Sequence, residues 1–300
     1  MGRVKTALRI SGTLILLSFL ISISIIYYLK LDNPVFLKSY KDIEVVENEG
    51  NYITSGYDIE IKYIANIEDN RKVSSIIFKD APNLNFYVSE NSPMGIGQFY
   101  NYSNDNIEGY GRYGIHTVFL NLNSHNYGYD LNDDIVLREA TVTFNDGLTM
   151  DVDLGKLVLY KYKSPQENLV DEVLYGQNID ISSEGISKSG FYVKKYIQVS
   201  DIYSKLFEDT RDLFDFNINK TGSIEDRDLI YNANDNLYFT SQFNFIDDPE
   251  RKLYSYDIRP IIYFKDRDGK EYEKRVYNLT YNPSFNFNDI YKYLIETGEI

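Results

Sequence analysis

Ala140–Tyr160 reads ATVTFNDGLTMDVDLGKLVLY. Two runs rich in β-branched and aliphatic residues, Ala140–Phe144 and Leu148–Leu154, flank Asn145-Asp146-Gly147. Asn, Asp and Gly supply the positive φ angles that tight hairpins need, so the stretch predicts an antiparallel hairpin continued by Lys156–Tyr160. Arg259–Leu279, RPIIYFKDRDGKEYEKRVYNL, repeats the plan of strand, acidic-glycine turn and strand about 120 residues later. That spacing is close to the size of one β-sandwich.

Outward from these hairpins the strand signal continues. Tyr57, Ile59, Ile61 and Tyr63 alternate with polar residues, the period of two of a half-buried strand. Val73–Lys79, Leu84–Val88 and Ile115–Leu122 are further β runs in the first half. Phe191–Val199, Leu237–Ile246 and Tyr254–Phe264 are their counterparts in the second. Few helices interrupt them. Ser164, Pro165 and Glu167 form a capping box with proline at the first helical position, and Gly176 is placed to end that helix. Ser200 is positioned to cap a short helix over Asp201–Glu208, and Asn288 one over Asp289–Glu296 before Gly298. The chain thus reads as mainly β, with two β-sandwich domains of immunoglobulin-like type: 42–163 and 177–300, joined by a linking helix at 164–176.

A different solvent is written into the N-terminus. Ile10–Leu29, ISGTLILLSFLISISIIYYL, is uncharged, and twenty residues at roughly 1.5 Å each match a bilayer's hydrocarbon thickness. The run is too long for a cleaved signal peptide and has no small-x-small cleavage pair, so it reads as a transmembrane signal anchor. Residues 1–9 form a short cytoplasmic tail, Tyr27 and Tyr28 are aromatic anchors at the outer interface, and 30–41 with Pro34 read as a stalk. The expected location is a cell membrane, single-pass, with the C-terminal domains outside.

Charge and composition exclude several functions. The chain carries −14; residues 1–30 contribute +4 and no acid, leaving −18 on the rest. Such a surface repels phosphate backbones, so nucleic acid is not an expected partner. Cysteine is absent, which removes disulfides, thiolate metal sites, cysteine nucleophiles and a lipidated cysteine. The heavy use of Asn, Ile, Lys, Asp and Tyr is the composition of an AT-rich genome and fits a bacterial envelope protein.

Candidate chemistry is sparse. Gly109–Gly114 matches G-x-G-x-x-G, but it follows a polar loop and precedes a strand, the wrong setting for a nucleotide. His116 and His125 are the two histidines; His116 shares a strand face with Val118, Leu120 and Leu122 and reads as a core residue. No G-x-S-x-G or S-x-x-K sequence flags a nucleophile. Asp266, Asp268 and Glu271 lack EF-hand spacing and read as a charged turn. No cofactor or metal is expected. The one candidate binding feature is the loop 91–114, where Tyr100, Tyr102, Tyr110 and Tyr113 alternate with Asn101, Asn104 and Asn106, a recognition-loop composition. Together these features favour a non-enzymatic binding or assembly subunit with a protein or envelope partner. The alternatives are an extracytoplasmic hydrolase using a carboxylate pair, or an accessory or sensor subunit whose helix contacts partner helices through Ser11, Gly12, Thr13, Ser22 and Ser24.

Overall fold

A computed structural model describes residues 2–48, 51–54, 59–90, 107–122, 133–161, 173–181, 185–220, 229–246, 248, 250–277 and 279–300. The chain opens with α1 (Gly2–Tyr28). Ten strands follow: β1 (Val35–Leu37), β2 (Ser39–Asn48), β3 (Asn51–Thr54), β4 (Ile59–Asn66), β5 (Val73–Phe78), β6 (Phe86–Ser89), β7 (Ile107–Tyr110), β8 (Tyr113–Leu122), β9 (Ile135–Phe144) and β10 (Thr149–Lys161). The second half begins with β11 (Leu174–Ile181), β12 (Ile186–Val193) and β13 (Ile197–Tyr203), then the one-turn α2 (Phe207–Thr210). It continues through β14 (Phe214–Lys220), β15 (Ile230–Tyr231), β16 (Asn236–Phe243), β17 (Ser255–Ile258), β18 (Ile261–Lys265), β19 (Glu271–Arg275) and β20 (Leu279–Tyr281) to α3 (Phe287–Glu296).

The strands form four sheets. Sheet I has the order β1-β4-β8-β6, with β7 also on β8; sheet II runs β20-β17-β2-β10-β9-β5, with β3 on β2. Sheet III is β11-β12-β16-β14 and sheet IV is β15-β13-β18-β19. Sheets I and II sandwich one core, in which Ile61, Tyr63, Val118 and Leu120 meet Phe78, Val142, Phe144 and Leu157. Sheets III and IV enclose another, with Phe191 and Phe239 facing Val199, Ile262 and Phe264. Alternating inward side chains of two sheets make each core, as periodicity of two demands.

The expected hairpin is present: Thr149 pairs with Thr143 and Val152 with Ala140 around a turn with Gly147 at φ 90°. One strand then runs on to Lys161 because a bulge between Asp153 and Leu157 re-aims it. At that bulge Gly155 has φ 87°, and a Cβ there would lie 2.6 Å from the Ser39 carbonyl oxygen. Only glycine lets β10 approach β2 so closely, and the two strands pair in parallel from Gly155–Ser39 to Lys161–Val45.

Several sequence expectations change. Residues 30–41 are no stalk: Leu31, Val35, Phe36 and Leu37 are buried, and β1 and the start of β2 belong to sheets I and II. Tyr254–Phe264 is two strands, because Pro260 lacks the donor that a continuous ladder needs. The first piece, β17, pairs in parallel with β2 (Ser255–Ser39 to Asp257–Lys41), so the second half adds β17 and β20 to the first half's sheet. The run Phe191–Val199 likewise divides between sheets III and IV. Asp201–Tyr203 extends β13, and the short helix starts only at Phe207. The last helix is capped by Asn286, whose side chain accepts from the Asp289 amide at 3.0 Å, two residues before the expected cap. Residues 164–172 of the expected linking helix lie outside the described residues, and Leu174–Gly176 are strand.

A third apolar cluster joins the halves, with Val35, Ile64 and Tyr113 of the first sandwich against Tyr256, Leu279, Ile290 and Leu294. Beside it sits a charged clasp. Arg259 holds Asp257 through two nitrogens (2.8 and 3.3 Å), and its backbone amide donates to buried Asp42 at 2.8 Å. Tyr160 and Tyr277 both reach Glu44, and the Arg275 guanidinium lies 3.7 Å above the Tyr160 ring. Burial pushes the Asp42 carboxyl up to about 6, although the Arg259 amide draws it partly back. Lys156, also buried, spans from β10 to Asp209 of α2 at 2.8 Å and to the Lys205 carbonyl at 2.6 Å.

Candidate functional site

The end of α1 is tied directly into sheet I. The Tyr113 hydroxyl donates to the Leu29 carbonyl oxygen at 2.7 Å. Asn66, at the end of β4, uses its amide like a peptide group: its Nδ2 donates to the Leu31 carbonyl at 2.7 Å, and its Oδ1 accepts from the Leu31 amide at 3.1 Å. A helix end leaves backbone groups without intrahelical partners, and here side chains of the β body satisfy them. The Arg71 guanidinium reaches the Asp32 carbonyl at 3.4 Å. Its main partner is Asp69, held by Nε at 3.0 Å and Nη2 at 2.6 Å. Burial pushes the Asp69 carboxyl up, but Arg71 outweighs it and holds the group below the usual carboxylate range.

Around this collar lies a cleft of about 880 Å³. Its apolar wall is made by Ile23, Tyr27 and Leu29 of the chain's first helix with Ile67 and Phe287. Its charged rim carries the cations Lys30, Arg71 and Arg112 and the acids Asp32, Glu68 and Asp69. Phe287 comes from α3 and stacks on Tyr113 with ring centroids 6.1 Å apart, so the C-terminal helix closes one side.

The side chains of α1 have no such cover. Every described large apolar residue from Ile10 to Ile23 is exposed, from 47% at Ile23 to 71% at Ile15. Ser22 and Ser24 donate their hydroxyls to the carbonyls of Ser18 and Leu20, each at 2.9 Å, and so satisfy themselves within the helix. Among the described residues no helix is long and apolar enough to cross a membrane.

Of the four tyrosines expected to form a recognition surface, Tyr110 and Tyr113 are among the described residues. Tyr100 and Tyr102 lie outside the described residues. Tyr113 is fully buried, with its hydroxyl spent on Leu29. Tyr110 is half-buried in β7, donates to Glu108 at 2.8 Å and lies beside Phe285; burial and that carboxylate push its phenol up to about 12. Gly109–Gly114 forms the tight β7–β8 hairpin. His116 is buried, stacked 4.6 Å from Tyr63 and hydrogen-bonded to its hydroxyl through Nδ1 at 3.1 Å. Asp266 spends its carboxylate on the turn, accepting from the amides of Asp268 and Lys270 and from the Tyr272 hydroxyl. Among the described residues no three His, Cys, Asp or Glu side chains group as metal ligands. Sequence reasoning missed Asn66, Ile67, Arg71, Arg112 and Phe287, which come from four separated stretches and share no motif.

No family model matches the chain, and no curated protein matches it. Among solved structures it is similar to the periplasmic chaperone SfaE at 6% identity, covering 82% of this chain and 100% of that one, with a TM-score of 0.21. The enterotoxigenic E. coli adhesin CfaE is 9% identical over 85% of this chain and 88% of its own, with a TM-score of 0.23. The fibronectin(III)-like modules of Clostridium thermocellum CbhA are 10% identical over 85% and 94%, with a TM-score of 0.18. Scores of this size carry no functional argument, and the β architecture stands on the four sheets themselves.

Proposed function

We propose that the protein is a single-pass, membrane-anchored binding or assembly subunit with no catalysis of its own. Residues 10–29 span the bilayer, residues 1–9 lie in the cytoplasm, and two immunoglobulin-like sandwiches face outside, where they meet a protein or envelope partner. The observation that carries this reading is α1: its large apolar side chains from Ile10 to Ile23 are exposed, and the hydroxyls of Ser22 and Ser24 are satisfied within the helix. An apolar helix exposed in water pays the full hydrophobic penalty, whereas lipid demands only that backbone and polar groups be paired within the helix. The net −18 beyond residue 30 keeps the sandwiches off an anionic membrane that holds them only through α1.

The test is topology in intact cells. Protease added outside should remove a C-terminal tag and leave an N-terminal tag protected, and alkaline carbonate should not release the protein. Release by carbonate, or protection of the C-terminal tag, would overturn the anchor. Crosslinking and pull-down with the native helix set against an unrelated anchor then separates the two roles. Partner capture that survives the exchange assigns binding to the sandwiches; capture lost with it assigns an accessory role to the helix.

A further inference from the structure

We infer that the outer face of sheet IV is a docking surface for a basic segment of a protein partner, with an arginine or lysine of that partner seated over Tyr263. The inference rests on the binding role proposed above and gives that role a surface. Three strands build the face. On β18 the side chains of Ile261, Tyr263 and Lys265 alternate with the core residues Ile262 and Phe264. On β19 Arg275, Glu273 and Glu271 stand opposite them, Glu273 directly beside Tyr263. On the other side, β13 would aim Asp201 into the core if the alternation of Ile197 and Val199 ran on. A bulge between Val199 and Asp201 resets the phase. Asp201 is thereby exposed opposite Tyr263, Ile202 turns inward, and Tyr203 emerges opposite Ile261, 45% exposed.

The face thus centres on one half-buried phenol between two carboxylates, whose strands lie roughly 4.8 Å to either side of its own. The Asp201 Oδ1 accepts from the Ile202 amide at 2.7 Å, which holds the side chain at the bulge. The two cations of the face have other partners: Lys265 bridges Glu271 at 2.9 Å, and Arg275 turns to the Tyr160 ring and the Arg259 carbonyl. Burial, then Glu273 and Asp201, outweigh Arg275 and push the Tyr263 phenol up, so its hydroxyl stays protonated. A ring flanked by anions is complementary to a cation, which the ring quadrupole attracts and the carboxylates bind by charge-assisted hydrogen bonds. A guanidinium suits it best, because its plane stacks on a phenol while its forked donors reach outward. Tyr203 and Ile261 add aromatic and aliphatic contact alongside, the composition of an interface centre. A second copy of this chain is the wrong occupant: with −18 beyond residue 30, two bodies repel as they approach.

The full-length protein in phosphatidylcholine nanodiscs is titrated into a fluorescent decapeptide of alternating arginine and serine, and anisotropy is read at physiological salt. The peptide should bind, and its counterpart of alternating glutamate and serine should not. Asp201→Asn with Glu273→Gln, which keeps the oxygen that accepts from Ile202, should weaken binding about tenfold. Glu296→Gln with Glu299→Gln removes the same charge from the exposed end of the chain and should change it by less than about twofold. Tyr263→Leu, which keeps the apolar cover, should weaken it about threefold. No binding by the wild type, equal binding of the acidic peptide, or equal weakening by the two double variants would overturn the face. Crosslinking from membranes keeps the two readings apart. A partner captured equally by the wild type and by the Asp201→Asn, Glu273→Gln variant sinks the face alone, and no partner captured by the wild type sinks the binding role beneath it.

Discussion

Two junctions among the described residues are built from opposite materials. The clasp between the sandwiches is ionic: Asp42, Glu44, Asp257, Arg259 and Arg275 meet around Tyr160 and Tyr277. The collar below α1 uses an amide and a phenol, Asn66 and Tyr113, to hold Leu29 and Leu31. A buried ion pair is costly to desolvate and sensitive to protonation, whereas neutral hydrogen bonds are indifferent to both. Beside the apolar cluster that also joins them, the two sandwiches therefore share contacts that respond to pH, whereas α1 is held by contacts that do not.

Breaking the clasp should cost most. Arg259→Met leaves Asp257 without its fork and removes the ring contact with Tyr277, and should destabilise the full chain by about 3 kcal/mol in denaturant titration. Asp42→Asn should act with the opposite sign. The folded carboxyl sits at about 6, above the ordinary value of 3.8, so folding favours its protonated form. Its contribution is fully present below about pH 4 and is lost as pH rises through 6. The variant should therefore gain on the order of 2–3 kcal/mol over the wild type at pH 8 and nothing at pH 4, read as the difference between two pH-stability curves.

The collar should respond less, and without pH dependence. Asn66→Ala removes both bonds to Leu31 and should cost about 2 kcal/mol at pH 5 and pH 8 alike. Tyr113→Phe removes one bond and keeps the ring on Phe287, so about 1 kcal/mol is expected. Equal pH dependence at the two junctions would erase the contrast between them.

Local order was legible in the sequence wherever one face of a strand is buried. The hairpins at Asn145–Gly147 and Asp266–Gly269, and the alternation of Ile59, Ile61 and Tyr63, correspond to real pairs. Where both faces are covered the pattern disappears. Val35, Phe36 and Leu37 are all buried and show no period, so β1 passed for a stalk. The mixing of the halves depended on Pro260, which reads as an interruption in one strand but separates two sheets. The cleft had no sequence signal, because Asn66, Arg71, Arg112 and Phe287 converge only through sheet pairing and the docking of α3. Ring composition does not say which rings face inward: in the tyrosine-rich stretch Tyr113 follows the tight turn and points to the core, while Tyr100 and Tyr102 lie outside the described residues.

The parallel pairing of β2 with β17 also sets an order of events. Ser39 finds Ser255 across 216 residues, and their hydroxyls meet at 2.7 Å. Synthesis runs from the N-terminus, so β2 waits with an open edge until most of the chain has been made. Such long-range closure is slow, and an unpaired edge recruits other strands. The first sandwich is begun early and finished last, and during that interval the growing protein is most exposed to pairing with the wrong chain.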